Sequence, residues 1–151
     1  MTLAIRPGTL DDLPQVLDIY NYSGLEHGAV LTLTDIETWF AQIQQYPSYT
    51  LWVACMAERI VGTFALLIMD NLVHLGSPSG IVEAVGVAPD LQGQGIGRQM
   101  MEVAMTQCCS AGCYKLTIST NLRRKTAHTF YESLGFEKHG YSYRIAISPG
   151  N

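Results

Sequence analysis

Three glycines alternate with other residues in Gln92-Gly93-Gln94-Gly95-Ile96-Gly97-Arg98, between an apolar run, Ile81 to Val87, and a segment with helical apolar spacing. Glycine is the least favourable ordinary residue in a helix and weakens a strand, so three within five residues ask for a cause. The first turn of a helix leaves N–H donors unpaired and carries partial positive charge. Removing side chains there lets an anion reach those donors. The stretch therefore has the chemistry of a phosphate cradle, with Gln92 and Arg98 as side-chain donors. A tight loop whose glycines only satisfy backbone dihedrals is the plainer alternative.

Two further residues could do chemistry. Glu83 lies inside Ile81–Val87, where glutamate is a poor strand former and is costly to bury. Burial would raise its pKa and suit it to accept a proton near neutrality. A glutamate facing solvent, or paired with an arginine across the sheet, is the alternative. Tyr131 offers a phenol that can hand over a proton, although its spacing with Ala127, Phe130 and Leu134 by itself reads as the core face of a helix.

The ligand of the cradle can be narrowed by spacing. A Walker loop needs GxxxxGK[ST], and no such lysine opens this helix. A dinucleotide fingerprint needs GxGxxG and an acid at the end of the next strand; here the glycines are Gly93, Gly95 and Gly97, and Tyr114 to Thr120 holds no carboxylate.

Elements that would position these groups follow from periodicity. Leu3 to Arg6 reads as a strand. Thr9 caps a helix with Asp12 as the reciprocal acid, and Leu13, Val16, Leu17 and Tyr20 follow at helical spacing. A second helix fits residues 34–46, capped by Thr34 or Asp35 and stopped before Pro47. Thr50 to Ala57 and Ile60 to Met69 read as strands joined at Glu58-Arg59. His74 to Gly80 is a turn-rich loop, expected to be mobile, and Ile81 to Val87 the next strand. Ile96, Met100, Val103 and Ala104 trace one helical face. Tyr114 to Thr120 alternates as a strand, Gly135 closes a further helix, and Tyr141 to Ile147 reads as a last strand, with a short one expected at Phe136 to Lys138. Hairpin-like strands come first and helical crossovers later, which predicts an α/β mixed sheet with helices on its faces.

The 151 residues suit a single domain, 1–151, able to bury a core. A net charge of −4 weighs against a nucleic-acid surface. The longest apolar stretch, Ile60 to Met69, is half of the ~20 residues that a membrane span needs. The start has no apolar core of signal-peptide length, so the expected location is cytoplasmic. Cys108, Cys109 and Cys113 lack a CxxC pair and a nearby histidine, so buried thiols are expected there rather than a metal.

Gln92-x-x-Gly95-x-Gly97 is the [R/Q]-x-x-G-x-[G/A] signature of the GNAT superfamily of acyl-CoA-dependent N-acetyltransferases, and the resemblance continues on both sides. Residues 5–21 resemble the family's first strand and helix, residues 82–101 its central strand, pyrophosphate loop and third helix. Ala127, Phe130, Tyr131, Gly135 and Phe136 match its A-x-x-F-Y-x-x-x-G-F pattern. The resemblance implies a mostly antiparallel sheet of six to seven strands flanked by about four helices. It implies acetyl-CoA as acyl donor, gripped at the pyrophosphate by the amides of Gly93, Gln94, Gly95, Ile96 and Gly97. It also implies strand-like contacts to the pantetheine arm from Val85, Gly86 and Val87, a thioester carbonyl polarised near Val85, and a pantetheine contact at Asn121. Gly86 fits either a bulge or a close ligand approach, and Asn121 equally well a helix cap. Lys125, beside Arg123 and Arg124, and His128 are cofactor-side candidates, a solvated face being the alternative for the cations. Tyr131 is then the general acid at the thioester sulfur and Glu83 the base, directly or through water.

The acceptor implied is a primary amine of a small molecule, bound by Tyr20 to Leu33, His74 to Gly80 and Tyr141 to Arg144. Residues 80–97 and 112–120 are locally similar to glucosamine-phosphate N-acetyltransferases, although Ala84 stands where those carry an aspartate. Acetylation of a protein N-terminus or lysine, and a non-catalytic acyl-CoA-binding module, are the rival readings. Quaternary state is not legible in the sequence; a homodimer is common among similar proteins, and the late strands are where one would be built.

Overall fold

The computed structural model describes residues 2–25 and 31–148. In chain order the elements are β1 (Leu3–Pro7), a 3-10 turn (Leu10–Asp12), α1 (Leu13–Tyr22), α2 (Ile36–Gln44), β2 (Tyr49–Met56), β3 (Arg59–Met69), α3 (Val73–Gly76), β4 (Ser79–Val87), a second 3-10 turn (Pro89–Leu91), α4 (Ile96–Ser110), β5 (Lys115–Ile118) and α5 (Lys125–Ser133). They fall into two compact units, Met1–Ile118 and Ser119–Asn151.

The first unit is one five-stranded sheet in the order β1-β2-β3-β4-β5. Neighbours are antiparallel up to β4, and β4–β5 is parallel. A parallel pair needs a crossover, which α4 supplies. On one face Leu13, Val16 and Ile19 of α1 and Ile36 and Phe40 of α2 pack on Leu51, Val53, Cys55 and Ile60. The other face takes α4. A side chain at Gly62 would come within 2.7 Å of the Met100 sulfur, so glycine is what lets that helix settle on β3.

The predicted cap at Thr9 forms, and it is part of a larger clasp. The Thr9 N–H donates to Asp12 Oδ2 at 2.7 Å, and the Arg6 guanidinium donates to both oxygens of the same carboxylate at 2.7 and 3.0 Å. The Arg6 hydrogen bonds, reinforced by the Thr9 donors, outweigh desolvation and hold the Asp12 carboxyl down at about 2. A depressed folded-state pKa stabilises the fold above the ordinary carboxylate value and is lost as pH falls through the folded value. Asp12→Asn is therefore expected to lower stability by about 2 kcal/mol at neutral pH, and by progressively less between pH 4 and pH 2. Urea midpoints of both proteins across that range check it.

In the second unit α5 ends in a Schellman turn. The Gly135 N–H donates to Glu132 O at 3.0 Å and the Phe136 N–H to Tyr131 O at 3.1 Å, with Gly135 at φ +96°. This pattern brings the residue after the glycine back against the last turn of the helix, and the Phe136 and Tyr131 rings meet edge to face at 5.6 Å. The same device closes α4: Gly112, at φ +77°, and Cys113 donate to Cys109 O and Cys108 O. It brings Cys113 to Cys108, whose thiol is pushed up to about 12 by burial. The cysteine spacing is thus a helix terminus.

Several boundaries differ from the sequence expectation. The sheet has five strands among the described residues, not six to seven, because neither Phe136–Lys138 nor Tyr141–Ile147 is paired. β5 stops at Ile118 rather than Thr120. β4 begins earlier, at Ser79, and takes up the end of the loop expected from His74 to Gly80. The rest of that loop is pinned: Asn71 Nδ2 donates to Ser77 O at 3.1 Å, and His74 stacks on Tyr114 with ring centroids 3.9 Å apart. The β2–β3 turn lies on Ala57 and Glu58, with Arg59 already in β3.

Candidate functional site

β4 carries the centre of the first unit's site. Between Thr63↔Gly86 and Ala65↔Glu83 its register with β3 slips, so that Ala84 and Val85 together oppose Phe64. This is a β-bulge, with Ala84 in the left-handed region at φ +52°. Successive strand residues alternate faces, so residues three apart should point to opposite sides. The extra residue reverses this. Glu83, opposite Ala65 and Leu51, and Gly86, opposite Thr63 and Val53, both face α1 and α2.

Gly86 is therefore not the bulge residue. Its bare Cα is where α1 comes closest: a Cβ there would lie 2.7 Å from Ile19 Cγ2 and 3.3 Å from Ser23 Oγ. Glu83, one row further along, is exposed, so the burial expected of it is absent. Its charge is nonetheless felt by a residue that the sequence did not single out. Tyr49, half-buried on β2, has its phenol pKa raised first by burial and then by the Glu83 carboxylate. Register explains the approach, because the row Tyr49–Leu67–Ile81 adjoins the row Leu51–Ala65–Glu83 on the same face. Tyr46 packs edge to face on Tyr49 at 6.2 Å. The sequence expectation begins that strand at Thr50, one residue short of Tyr49, and no local signal pairs Tyr49 with Glu83, two strands away.

The β4–β5 ladder ends at Val82↔Ile118, while β4 continues to Val87. Val85, Gly86 and Val87 thus lie on the stretch of β4 beyond its β5 pairing. The strand then leads through the 3-10 turn into the glycine loop. Gly93 and Gly95 have φ of +79° and +85°, conformations that L side chains rarely adopt. Gly95 is the N-cap of α4 and has no side-chain capping bond. No heavy atom lies within 4 Å of where a Cβ would stand at Gly93 or Gly95. Gly97 sits inside the first turn of the helix, and Ile96 is buried and anchors it. Gln94 and Arg98 are exposed on the loop and first turn. Gln92 stays exposed, its Nε2 donating to Val87 O at 3.4 Å, so it braces the loop on β4. An open surface over the unpaired N–H groups of a 15-residue helix fits a pyrophosphate of the coenzyme A type.

The second unit holds the other candidates. Asn121 Oδ1 accepts the Arg123 N–H at 2.9 Å inside the turn that precedes α5, whose N-cap is Arg124 and carries no side-chain capping bond, so Asn121 is a turn residue and not the helix cap; Asn121 O lies 2.8 Å from His128 Nε2. Lys125 is exposed at the start of α5. Tyr131 is buried on that helix, its ring 5.0 Å from Phe130. Burial pushes its phenol up to about 12, against a smaller opposing pull from Arg124. Among the acceptor-side residues, Tyr22, Leu33, Tyr141 and Tyr143 are exposed. Glu26 and His27 lie outside the described residues.

Comparison with known proteins agrees with this geometry. Residues 47–138 match the model of the acetyltransferase (GNAT) domain. Glucosamine 6-phosphate N-acetyltransferase of Trypanosoma brucei brucei is 32% identical over 59% of this chain and 58% of its own length. Aminoalkylphosphonate N-acetyltransferase of Salmonella typhimurium is 32% identical over 67% of this chain and 65% of its own length. The chain thus aligns with less than two thirds of either relative. A solved Agrobacterium tumefaciens structure, described provisionally as an acetyltransferase, superposes with a TM-score of 0.89 at 29% identity, covering 95% of this chain and 99% of that one. The glycine loop, the bulged strand ahead of it and the family match coincide on the same residues, and the chain belongs to the GNAT acetyltransferase family.

Proposed function

We propose that this protein is an N-acetyltransferase that moves an acetyl group from acetyl-CoA to a primary amine of a small molecule, by direct transfer in a ternary complex, with residues 1–151 acting as one catalytic domain. The observation that carries this reading is the junction of β4 and α4. A strand edge free beyond Val82 runs into a glycine loop open above helix donors. An extended thiol ester can add to the one while its pyrophosphate sits on the other.

The amine nitrogen attacks the thioester carbonyl, a C–N bond forms, and the C–S bond breaks. The backbone N–H near Val85 polarises the carbonyl as charge builds on its oxygen. Glu83 takes the proton lost by the amine, directly or through water, and Tyr49 beside it lines the acceptor approach. Tyr131 donates to the departing sulfur; a phenol held at about 12 stays protonated through neutral pH, the form a thiolate leaving group requires. Gln94, Ile96, Gly97 and Arg98 hold the pyrophosphate with Gly93 and Gly95, and Asn121, Lys125 and His128 are proposed to bind the rest of the coenzyme. The free thiols of Cys55, Cys108, Cys109 and Cys113 suit a reducing compartment, and we place the reaction in the cytoplasm.

The test is release of free thiol from acetyl-CoA against a panel of amines: glucosamine 6-phosphate, 2-aminoethylphosphonate, a polyamine, an aminoglycoside and an N-terminal peptide. Turnover of at least one small amine, with acetyl-CoA consumed, is expected. Binding of acetyl-CoA without turnover of any of them would favour the regulatory module. On the best amine, Glu83→Gln is expected to lower kcat/KM by roughly 100-fold at neutral pH and to recover partly as pH rises and the amine loses its proton unaided. An unchanged rate and pH profile would remove Glu83 from the reaction.

A further inference from the structure

Histidines aside, the cations of residues 1–118 are Arg6, Arg59, Arg98 and Lys115. None of them is free to serve an anion beside Glu83. Arg6 is held by Asp12, and Arg59 by Asp90 at 2.6 and 2.9 Å. Arg98 stands on the first turn of α4, at the glycine loop. Lys115 opens β5 opposite Ser79, roughly 13 Å along β4 from Glu83, and its ammonium lies 5.3 Å over the Tyr114 ring. The groups that gather at Glu83 are of another kind. Its exposed carboxylate adjoins the half-buried Tyr49, and the exposed Tyr46 packs edge to face on Tyr49. The charge of Glu83 reaches the Tyr49 phenol, raising its pKa beyond what burial does.

We propose that the acceptor is a diamine or polyamine without a phosphate, phosphonate or carboxylate group, and that the Tyr46 and Tyr49 rings hold its second ammonium while Glu83 faces the amine to be acetylated. The inference rests on the transferase reading of this site and narrows it to a substrate class. A carboxylate beside aromatic rings attracts cations, through charge and through the negative ring faces. A phosphate would need arginine or lysine donors and would be repelled by Glu83. The spacing is suitable as well. The rows of Tyr49 and Glu83 stand roughly 7 Å apart along the strands, a span that a short alkyl chain between two nitrogens covers. Arg144 is the one arginine or lysine in the stretches expected at the acceptor, residues 20–33, 74–80 and 141–144, so a phosphorylated amine would have to rely on it.

The experiment compares putrescine and spermidine with glucosamine 6-phosphate and 2-aminoethylphosphonate in steady-state thiol release at saturating acetyl-CoA. Each amine is also titrated by calorimetry into the protein with coenzyme A present. One of the two polyamines is expected to exceed both phosphorylated amines by roughly 10-fold or more, in kcat/KM and in affinity, with a margin that shrinks as salt is raised. Tyr49→Leu is expected to raise its KM roughly 10-fold with kcat within about twofold, and Tyr49→Phe, which keeps the ring, to restore most of that loss. A phosphorylated amine that matches the polyamines overturns the proposal and leaves the transferase reading standing, as does a folded Tyr49→Leu variant with unchanged KM. Thiol release with none of the amines counts against the transferase reading instead. The titrations then decide this inference by themselves: polyamine binding that is absent, or no tighter than that of the phosphorylated amines, overturns it.

Discussion

Replacing Gly95 by glutamate is expected to weaken acetyl-CoA binding by at least ~100-fold, about 2.7 kcal/mol, in a calorimetric titration. Two effects combine. Gly95 sits at φ +85° and ψ 3°, where a side chain costs roughly 1–2 kcal/mol. The glutamate carboxylate would also settle over the same unpaired N–H groups that are proposed to take the pyrophosphate, because a helix N-terminus favours any anion. Open space around the missing Cβ leaves room for it, so the fold is expected to survive. Gly95→Ala separates the two effects, since it keeps the dihedral strain and omits the charge. It should lose about 1 kcal/mol of stability and most of its binding should remain. NADH and ATP serve as control ligands and are not expected to bind. A glutamate variant that binds acetyl-CoA like the wild type would mean that the glycines serve only the turn, and the transfer mechanism would have to be withdrawn.

The second large effect is expected at Tyr131. Tyr131→Phe keeps the ring and its edge-to-face contacts with Phe130 and Phe136, and removes only the hydroxyl. A loss of roughly 100-fold or more in kcat, with KM for acetyl-CoA within about twofold, is expected of a proton donor used only as the sulfur leaves. A core aromatic with no part in the reaction would leave kcat unchanged. The pKa adds a further check. Burial raises the phenol from 10.0 to about 12, so the neutral form persists well above neutral pH, and the wild-type rate should show no falling limb from this group through neutral and mildly alkaline pH. Its effect on stability has a definite sign. A folded-state pKa above the unfolded one stabilises the fold fully below the unfolded value, and this is lost as pH rises through the folded one. Alkaline unfolding should therefore begin between pH 10 and 12 in the wild type and be blunted in the phenylalanine variant.

Much of the molecule could be read along the chain because the signals concerned are local. The Thr9–Asp12 cap, the apolar periods of α1, α2 and α4, and the strands β2 and β3 each depend on residues within a few positions of one another. The glycine loop is legible for the same reason: left-handed dihedrals at Gly93 and Gly95 are a property of the backbone there, whatever packs around it. The Phe-Tyr…Gly-Phe pattern, matched by resemblance, turns out to be a Schellman turn, again a contact between near neighbours.

What the chain alone left undetermined depends on partners distant in sequence. A carboxylate in an apolar strand reads as buried, yet Glu83 is exposed, because the β4–β5 ladder stops one residue before it and α1 reaches only as far as Gly86. The bulge that turns both residues to one face falls on Ala84, where no glycine announces it. Tyr49 meets the charge of Glu83 only because three strands align in register. Residues 141–148 alternate as a strand does, but alternation specifies a face, and pairing requires a neighbour. The sequence by itself determined the longer helices, most of the strands and the glycine loop, since caps, periods and glycine dihedrals are short-range, whereas the short α3 reads as loop. Only the tertiary structure decided which groups share a face with Glu83, and that the last strand-like segment stands unpaired, since burial and register are set by elements far apart in the chain.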